Sequence, residues 1–342
     1  MADWILHVDL DQFQVAVEVL RRPELGGRPV VVGGHGDPTE PRKVVTCASY
    51  EARAFGVRAG MPLRAAARRC PDAVFLPLDA DAYEAASTRV MTTLRGFPVE
   101  VEVWGWDEAF VGARTDDPEG LARDVRVAVG RATGLSCSVG IGDSLQRAKL
   151  ATGFAKPAGI SRLDRDSWMP VMADRGTDAL WGIGTRTARK LADHGLTTVG
   201  RLAAADPADL AGWFGPTIGP WLRQMALGEG SRQVSSAPRV ARSRSHVTTF
   251  PHDLTDRTEI EQQIANIARA LTGDVVADGH TVRRVAVVVR TATFFTRTRI
   301  TTLPGPTSDA SEVVRAALGL LERFELDRPI RLLGVRVEFP RD

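Results

Sequence analysis

Three carboxylates stand where carboxylates are costly. Asp9 lies in the strand-like run Trp4-Ile5-Leu6-His7-Val8-Asp9-Leu10-Asp11, and Asp107-Glu108 lies in Val103-Trp104-Gly105-Trp106-Asp107-Glu108-Ala109-Phe110. Acids in apolar strands destabilise a fold unless something binds them, and gathered oxygen donors suit a hard divalent cation. Three of them on neighbouring strands could hold a pair of magnesium ions for phosphoryl transfer. Adjacent strand residues point to opposite faces, so Asp107 and Glu108 share a site only at a bend, which Gly105 permits. Asp11 falls on the face of Asp9 and is read instead as a turn-forming or helix-capping acid.

Four further groups could serve a phosphate. Tyr50 and Arg53 are three apart on a short helical stretch and share a face, where a hydroxyl and a guanidinium fork suit a triphosphate; plain surface packing is the other reading. Only four of the 44 basic residues are lysine, and two of these, Lys149 and Lys156, sit seven apart in one helical segment. Such a scarce ammonium points to phosphate contact, the alternative being a solvated helix face. Gly182-Ile183-Gly184, in Leu180-Trp181-Gly182-Ile183-Gly184-Thr185-Arg186, reads as a hairpin between helices whose backbone N–H groups meet a nucleic-acid phosphate, or as a plain packing element. Finally, Arg232, Arg239, Arg242 and Arg244 precede Phe250 with no acid among them, and five more arginines run acid-free from Arg283 to Arg299. Net charge is only +2, so this distribution, rather than the total, predicts a positive face in the C-terminal third.

The elements that must position these groups follow from periodicity. Residues 4–11 alternate, with Leu6, Val8 and Leu10 toward a core and Ile5, His7, Asp9 and Asp11 on a face that presents acids. A helix over 12–22, strands at 29–33 and 43–47, and helices at 48–55 and 62–69 come next. Helices at 80–96 and 117–132 flank strands at 99–104 and 108–113, and a strand at 136–141 follows. That order is a split βαβ pattern with an insertion at 23–76. Residues 165–230 read as helical, and 231–242 has linker composition. Beyond it a strand near 244–250, a helix at 256–274, strands at 282–290 and 294–303, a helix at 309–324 and a strand at 330–338 repeat the βαββαβ order. With 342 residues the chain exceeds one core; 44% hydrophobic and 25% charged residues are globular proportions without a bilayer-spanning run. Cys47, Cys70 and Cys137 have no metal spacing, and the first strand starts too early for a signal peptide, so a cytoplasmic protein with reduced thiols is expected.

Together these segments resemble the Y-family translesion DNA polymerases, most closely the DinB branch, over nearly the whole chain. His7-Val8-Asp9-Leu10-Asp11 is similar to the family's first metal motif and Trp106-Asp107-Glu108-Ala109-Phe110 to its second. Tyr50-Glu51-Ala52-Arg53 with Phe55-Gly56-Val57-Arg58 resembles its nucleotide-binding stretch, and Ala155-Lys156-Pro157 with Gly159-Ile160 the segment closing its palm. The resemblance implies an α+β multidomain right hand. Its ferredoxin-like palm would be 1–22 and 77–164, its small fingers 23–76, its helix-hairpin-helix thumb 165–230, its linker 231–242 and its α+β little finger 243–342. It implies Asp9, Asp107 and Glu108 as catalytic metal ligands, helped by the Leu10 carbonyl, with two Mg²⁺ per site and Mn²⁺ able to substitute. Phe13, Gln14, Thr46, Tyr50, Arg53 and Lys156 would meet the nucleotide. Lys149, Gly182, Gly184, Arg242, Arg244, Arg297 and Arg299 would meet primer-template DNA. A monomer is expected.

Three departures qualify the resemblance. The position after Phe13, an aromatic in the family, is Gln14, so weak exclusion of ribonucleotides beside dNTPs is expected. Gly105 replaces a serine, and Cys47 a threonine whose phosphate contact Thr46 would take over. The chain stops at Val337-Glu338-Phe339-Pro340-Arg341-Asp342 without a glutamine-led tail, so low processivity and no sliding-clamp contact through a tail are expected. Two other readings compete. A non-catalytic DNA-binding relative would be expected to lose the acids. A nucleotidyl cyclase would have no use for the Gly-Ile-Gly hairpin or a second, arginine-lined βαββαβ domain.

Overall fold

The computed structural model describes residues 2–238 and 240–340; Arg239 and the terminal Arg341 and Asp342 lie outside the described residues. It divides into two compact units, residues 1–237 and 238–342.

In chain order, β1 (Ala2–Leu10) and α1 (Phe13–Arg21) lead into β2 (Val30–Val32), β3 (Cys47–Ala48), α2 (Tyr50–Ala54), α3 (Leu63–Arg69) and β4 (Val74–Leu76). Then come α4 (Ala80–Arg95), β5 (Glu100–Val103), β6 (Glu108–Thr115), α5 (Pro118–Thr133), β7 (Cys137–Gly142), α6 (Leu145–Ala155) and β8 (Ile160–Leu163). Side-chain caps start the helices where the sequence changes period. Ser49 accepts from the Ala52 amide at α2, Asp79 from Ala82 at α4, Asp117 from Gly120 at α5 and Ser144 from Arg147 at α6.

The main sheet has the order β5-β6-β1-β7-β8, with β1 at its centre, antiparallel to both neighbours. Without β8, this is the split βαβ order. One face, carrying Leu6, Val8 and Leu10, packs with Tyr83, Val90, Val125 and Val129 of α4 and α5. The opposite face is not the open, acid-bearing surface that alternation alone suggests. Ile5 and His7 are buried there beneath α6, against Ala148 and Thr152, and Asp9 itself is only 9% exposed. Two glycines make that possible. A Cβ on Gly140 would lie 2.2 Å from the Ala148 carbonyl oxygen and the Thr152 amide, and one on Gly142 2.4 Å from the Ala148 amide. Helix α6 therefore rests on the backbone of β7 itself.

A second sheet, β3-β2-β4, pairs β2 with β4 in parallel and supports α2 and α3 around Val31, Ala52, Val57 and Leu63. The strand expected at 43–47 is confined to Cys47–Ala48, with a lone bridge from Val44 to Pro62. Next come α7 (Arg165–Met172), a 3₁₀ turn (Thr177–Ala179), α8 (Thr185–Ala192), α9 (Val199–Ala204), α10 (Pro207–Phe214) and α11 (Ile218–Ala226), cored by Trp168, Leu191, Leu202 and Leu222. Residues 231–235, of linker composition, lie along the first unit. Ser231 accepts from the Leu145 amide, Ser235 donates its amide to Glu102, and Val234 packs beside Gly112.

The second unit holds β9 (Ser243–Leu254), α12 (Arg257–Ala277), β10 (Val282–Thr291), β11 (Thr296–Thr307), α13 (Ala310–Leu321) and β12 (Ile330–Glu338). Its element order repeats that of the first unit, yet its sheet is β11-β10-β12-β9, with the first strand at an edge instead of the centre. The polar run Ser243-Arg244-Ser245-His246-Val247-Thr248-Thr249 suits an edge strand, whereas β1 is buried on both faces.

Candidate active site

Asp9 is the last acid of β1, and its Cα pairs in register with Glu108 at the start of β6. Asp107 lies in the bend Gly105–Asp107 just before that strand, and its carbonyl accepts from the Leu10 amide at 2.8 Å. The bend keeps Asp107 within electrostatic reach of Asp9 and Glu108. Their charges interact: burial first, then the nearby Asp9 and Glu108, raise the Asp107 carboxyl above its ordinary range.

Two ammonium groups answer these acids. Lys149, on α6, pairs with Glu108 and stands 3.7 Å from the other oxygen of Asp9; Lys156, just past the end of α6, pairs with Asp9. Lys149, expected at DNA, lies over the carboxylates, brought there by the close seat of α6 on Gly140 and Gly142. Behind them His7 is wholly buried, its Nδ1 2.9 Å from the Thr152 hydroxyl and its Nε2 3.5 Å from Glu108. That second contact is long for a hydrogen bond, and Nε2 has no other partner among the described residues. Burial pushes the imidazole below its usual range, keeping it neutral. The His7 contact, then the Lys149 ammonium, hold Glu108 down to about 2 against its own burial.

A cavity of about 720 Å³ opens beside the acids, lined by Leu10, Phe13, Gln14, Thr46, Tyr50, Arg53, Asp107 and Lys156 from the expected set. Arg58, Cys47 and Gln12 line it too. Within it the polar groups are already committed to each other. The Tyr50 hydroxyl donates to Asp11 at 2.9 Å, so its proton is not free for a phosphate; burial and the Asp11 charge raise the phenol's pKa. Arg53 lies over the Tyr50 ring, 4.9 Å from its centroid, and donates Nε to the Ala48 carbonyl. The Thr46 hydroxyl is within bonding distance of Gln14 Oε1 (2.6 Å) and the Val32 carbonyl (3.0 Å), which directs it to the protein rather than to a ligand.

Asp11 stands in the turn before α1, but its carboxylate does not cap that helix. It is 4% exposed and accepts four bonds, from Tyr50 and Ser138 on one oxygen and from Ser136 and the Ala158 amide on the other. Its spacing of two from Asp9, on one strand face, was the available signal. His7 and Thr152 carried none beyond burial.

The remaining residues are not among those that line this cavity. Gly182 takes φ 102° and Gly184 opens α8, with Ile183 buried between them, so the hairpin turns as its glycines allow. In the second unit Arg297 and Arg299 are exposed on the edge strand β11. Arg244 is not available in the same way: α12 brings Asp278 and Asp274 against it. Charge runs read along one strand miss acids supplied by the helix packed on it. Arg242, just before β9, lines a surface cavity with Arg283 and Arg284.

A strand-borne carboxylate cluster beside a nucleotide-sized cavity, on a split βαβ sheet, defines the class of palm-type nucleotidyl-transferring polymerases. Residues 8–153 match the impB/mucB/samB family and residues 241–339 its C-terminal domain. "DNA polymerase IV 2" of Mycobacterium tuberculosis is 56% identical over 338 residues, covering 98% of this chain and 97% of the relative. "DNA polymerase IV" of Methanoculleus marisnigri is 36% identical, covering 97% and 93%. Among solved structures, a Y-family DNA polymerase chimera, Dbh-Dpo4(243-245)-Dbh, superposes with a TM-score of 0.84 at 24% identity, and DinB from Sulfolobus solfataricus with 0.62 at 24%; each covers 98% of both chains. The chain belongs to the impB/mucB/samB family, the Y-family DNA polymerases, in the DinB branch, with their α+β right-hand architecture. It is a DNA-directed DNA polymerase.

Proposed function

We propose that the chain adds nucleotides to a primer 3′-hydroxyl opposite a template, in the translesion manner of its family, at Asp9, Asp107 and Glu108. The observation that carries the reading is the convergence of these acids, from segments nearly a hundred residues apart, beside the cavity that Phe13, Gln14, Tyr50, Arg53 and Lys156 share.

The donor set fits a hard cation. Oxygens of Asp9 and Glu108 lie within 4.8 Å of one another and of a His7 nitrogen, and crowding with these acids, after burial, raises Asp107. Asp9, Asp107, Glu108 and the Leu10 carbonyl would hold two Mg²⁺, and Mn²⁺ takes the same oxygen ligands. When bound, the pair would supply the Lewis acidity that favours the primer alkoxide and offsets charge on the leaving pyrophosphate. The protein's own part is positioning and charge. Arg53, Arg58 and Lys156 give cationic donors to the triphosphate, and Asp11 fixes the Tyr50–Arg53 pair in place. Phe13 forms an apolar wall beneath the sugar. Gln14, its oxygen held by Thr46, turns amide N–H donors rather than an aromatic ring toward the ribose, which admits a 2′-hydroxyl. The Gly182–Gly184 hairpin, with Arg242, Arg297 and Arg299, grips DNA backbone, and the template supplies base choice.

Primer extension by wild type and Asp107→Ala, with dNTPs and with rNTPs, tests this. Wild type extends and the variant does not; equal extension by both would overturn the assignment.

A further inference from the structure

The tip of the β10–β11 hairpin is built in a way that folding does not require. Its loop, Ala292–Phe295, is firmly held: Thr291 donates its amide to the Phe295 carbonyl at 2.9 Å, Phe294 to Thr291 at 3.0 Å, and Ala292 to Pro329 at 2.8 Å. Yet Phe294 sits at φ 64°, a left-handed conformation that bulky residues avoid, with 63% of its surface exposed. Phe295 beside it is 51% exposed. Two adjacent phenyl rings in water, one on a strained backbone, add nothing to the core.

Each ring carries a guanidinium. Arg331 lies over Phe294 at 4.6 Å and Arg297 over Phe295 at 5.1 Å. Next to Phe295 is a cavity of about 240 Å³, also lined by Phe324, Arg328, Glu325 and Asp327. An aromatic wall with both donors and acceptors around it suits a planar group with a polar edge; the two carboxylates would repel a phosphate.

We infer that this tip is a stacking platform for unpaired bases of a single-stranded nucleic acid. The inference deepens the polymerase reading and rests on it, since template ahead of a primer is unpaired. Bases have faces that stack on phenyl rings, arginine strengthens such stacking, and Arg290 and Arg299 flank the tip for the phosphates between bases. Duplex DNA fits less well, because its bases are already stacked and its rim of phosphates would meet bare rings. A protein pocket fits less well, because it would have to desolvate the two guanidiniums with the rings.

The test uses the full chain and a fluorescein-labelled oligothymidylate, read by anisotropy. Phe294→Ala with Phe295→Ala weakens binding roughly tenfold for each lost ring and leaves duplex binding unchanged. Phe294→Trp with Phe295→Trp retains binding, and the added indole fluorescence is quenched by the strand. Unchanged oligothymidylate binding by the alanine pair, which would leave the rings to a protein partner, overturns the inference, as does equal loss for strand and duplex. Primer extension by wild type is scored separately, so inactivity there would count against the polymerase reading and not against the platform.

Discussion

Removing the Asp11 carboxylate should damage the protein in a way that separates its role from that of Asp9, two residues away. Four donors converge on Asp11, and their environments differ: Ser136 and Ala158 are exposed residues, Tyr50 is partly covered, and Ser138 is wholly buried. In Asp11→Ala the Ser136 hydroxyl turns to water. The enclosed Ser138 hydroxyl loses its acceptor at about 1–3 kcal/mol, and the two partly covered bonds to a charged acceptor add less than their full worth; we expect about 3–5 kcal/mol in all. In Asp11→Asn the Ala158 amide, which can only donate, selects the amide oxygen, and the Tyr50 and Ser138 hydroxyls reverse to accept from the nitrogen. Four neutral bonds then replace charge-assisted ones, so the loss is about half as large. Urea unfolding measures both. Steady-state extension should show a raised nucleotide KM in Asp11→Ala with a smaller effect on kcat, because Tyr50 loses its tether while the acids remain. Tyr50→Phe removes the same bond from the other side, so the pair should couple by about 0.5–3 kcal/mol in a double-mutant cycle. Wild-type stability in Asp11→Ala, or strictly additive Asp11→Ala and Tyr50→Phe, would refute this reasoning.

Other expectations follow from the same site. Mg²⁺ at a hundredfold excess over its Kd should stabilise the wild type by about 2.7 kcal/mol, more as pH rises through the raised range of Asp107; Asp107→Asn should blunt this in thermal melts. Glu108 is held low in the folded protein, so its stabilising contribution is present above its ordinary 4.5 and lost as pH falls toward about 2. The stability gap between wild type and Glu108→Gln should therefore close across that interval in urea titrations. Gln14→Phe should raise the dNTP-to-rNTP ratio of kcat/KM by at least about tenfold through steric exclusion, and an unchanged ratio would remove Gln14 from sugar selection.

The strand alternation of 4–11 made much of the main sheet legible, and the acid pair after Gly105 marked the candidate site. The strands Val74–Leu76 and Ile160–Leu163 escaped because each is short and parallel to a neighbour, drawing its stability from that neighbour rather than from its own pattern. The position of Lys149 over the acids was not legible, because the sequence shows its helix but not the distance of that helix from the sheet. The ion pairs of Arg244 are invisible along its own strand because Asp274 and Asp278 lie thirty and more residues away on another element. Identical βαββαβ orders gave two different sheets, since order along the chain does not decide whether the first strand is central or marginal; the polarity of 243–249 does.

The bare backbone at positions 140 and 142 has a consequence for how this enzyme tolerates change. Added bulk there need not reach any reactant to be felt. By lifting one helix off its strand it would withdraw both ammonium groups from the acids, leaving like charges to repel. Variation at these two inward-facing sites should therefore be limited by turnover before it is limited by folding, although neither carries a side chain that could take part in a reaction.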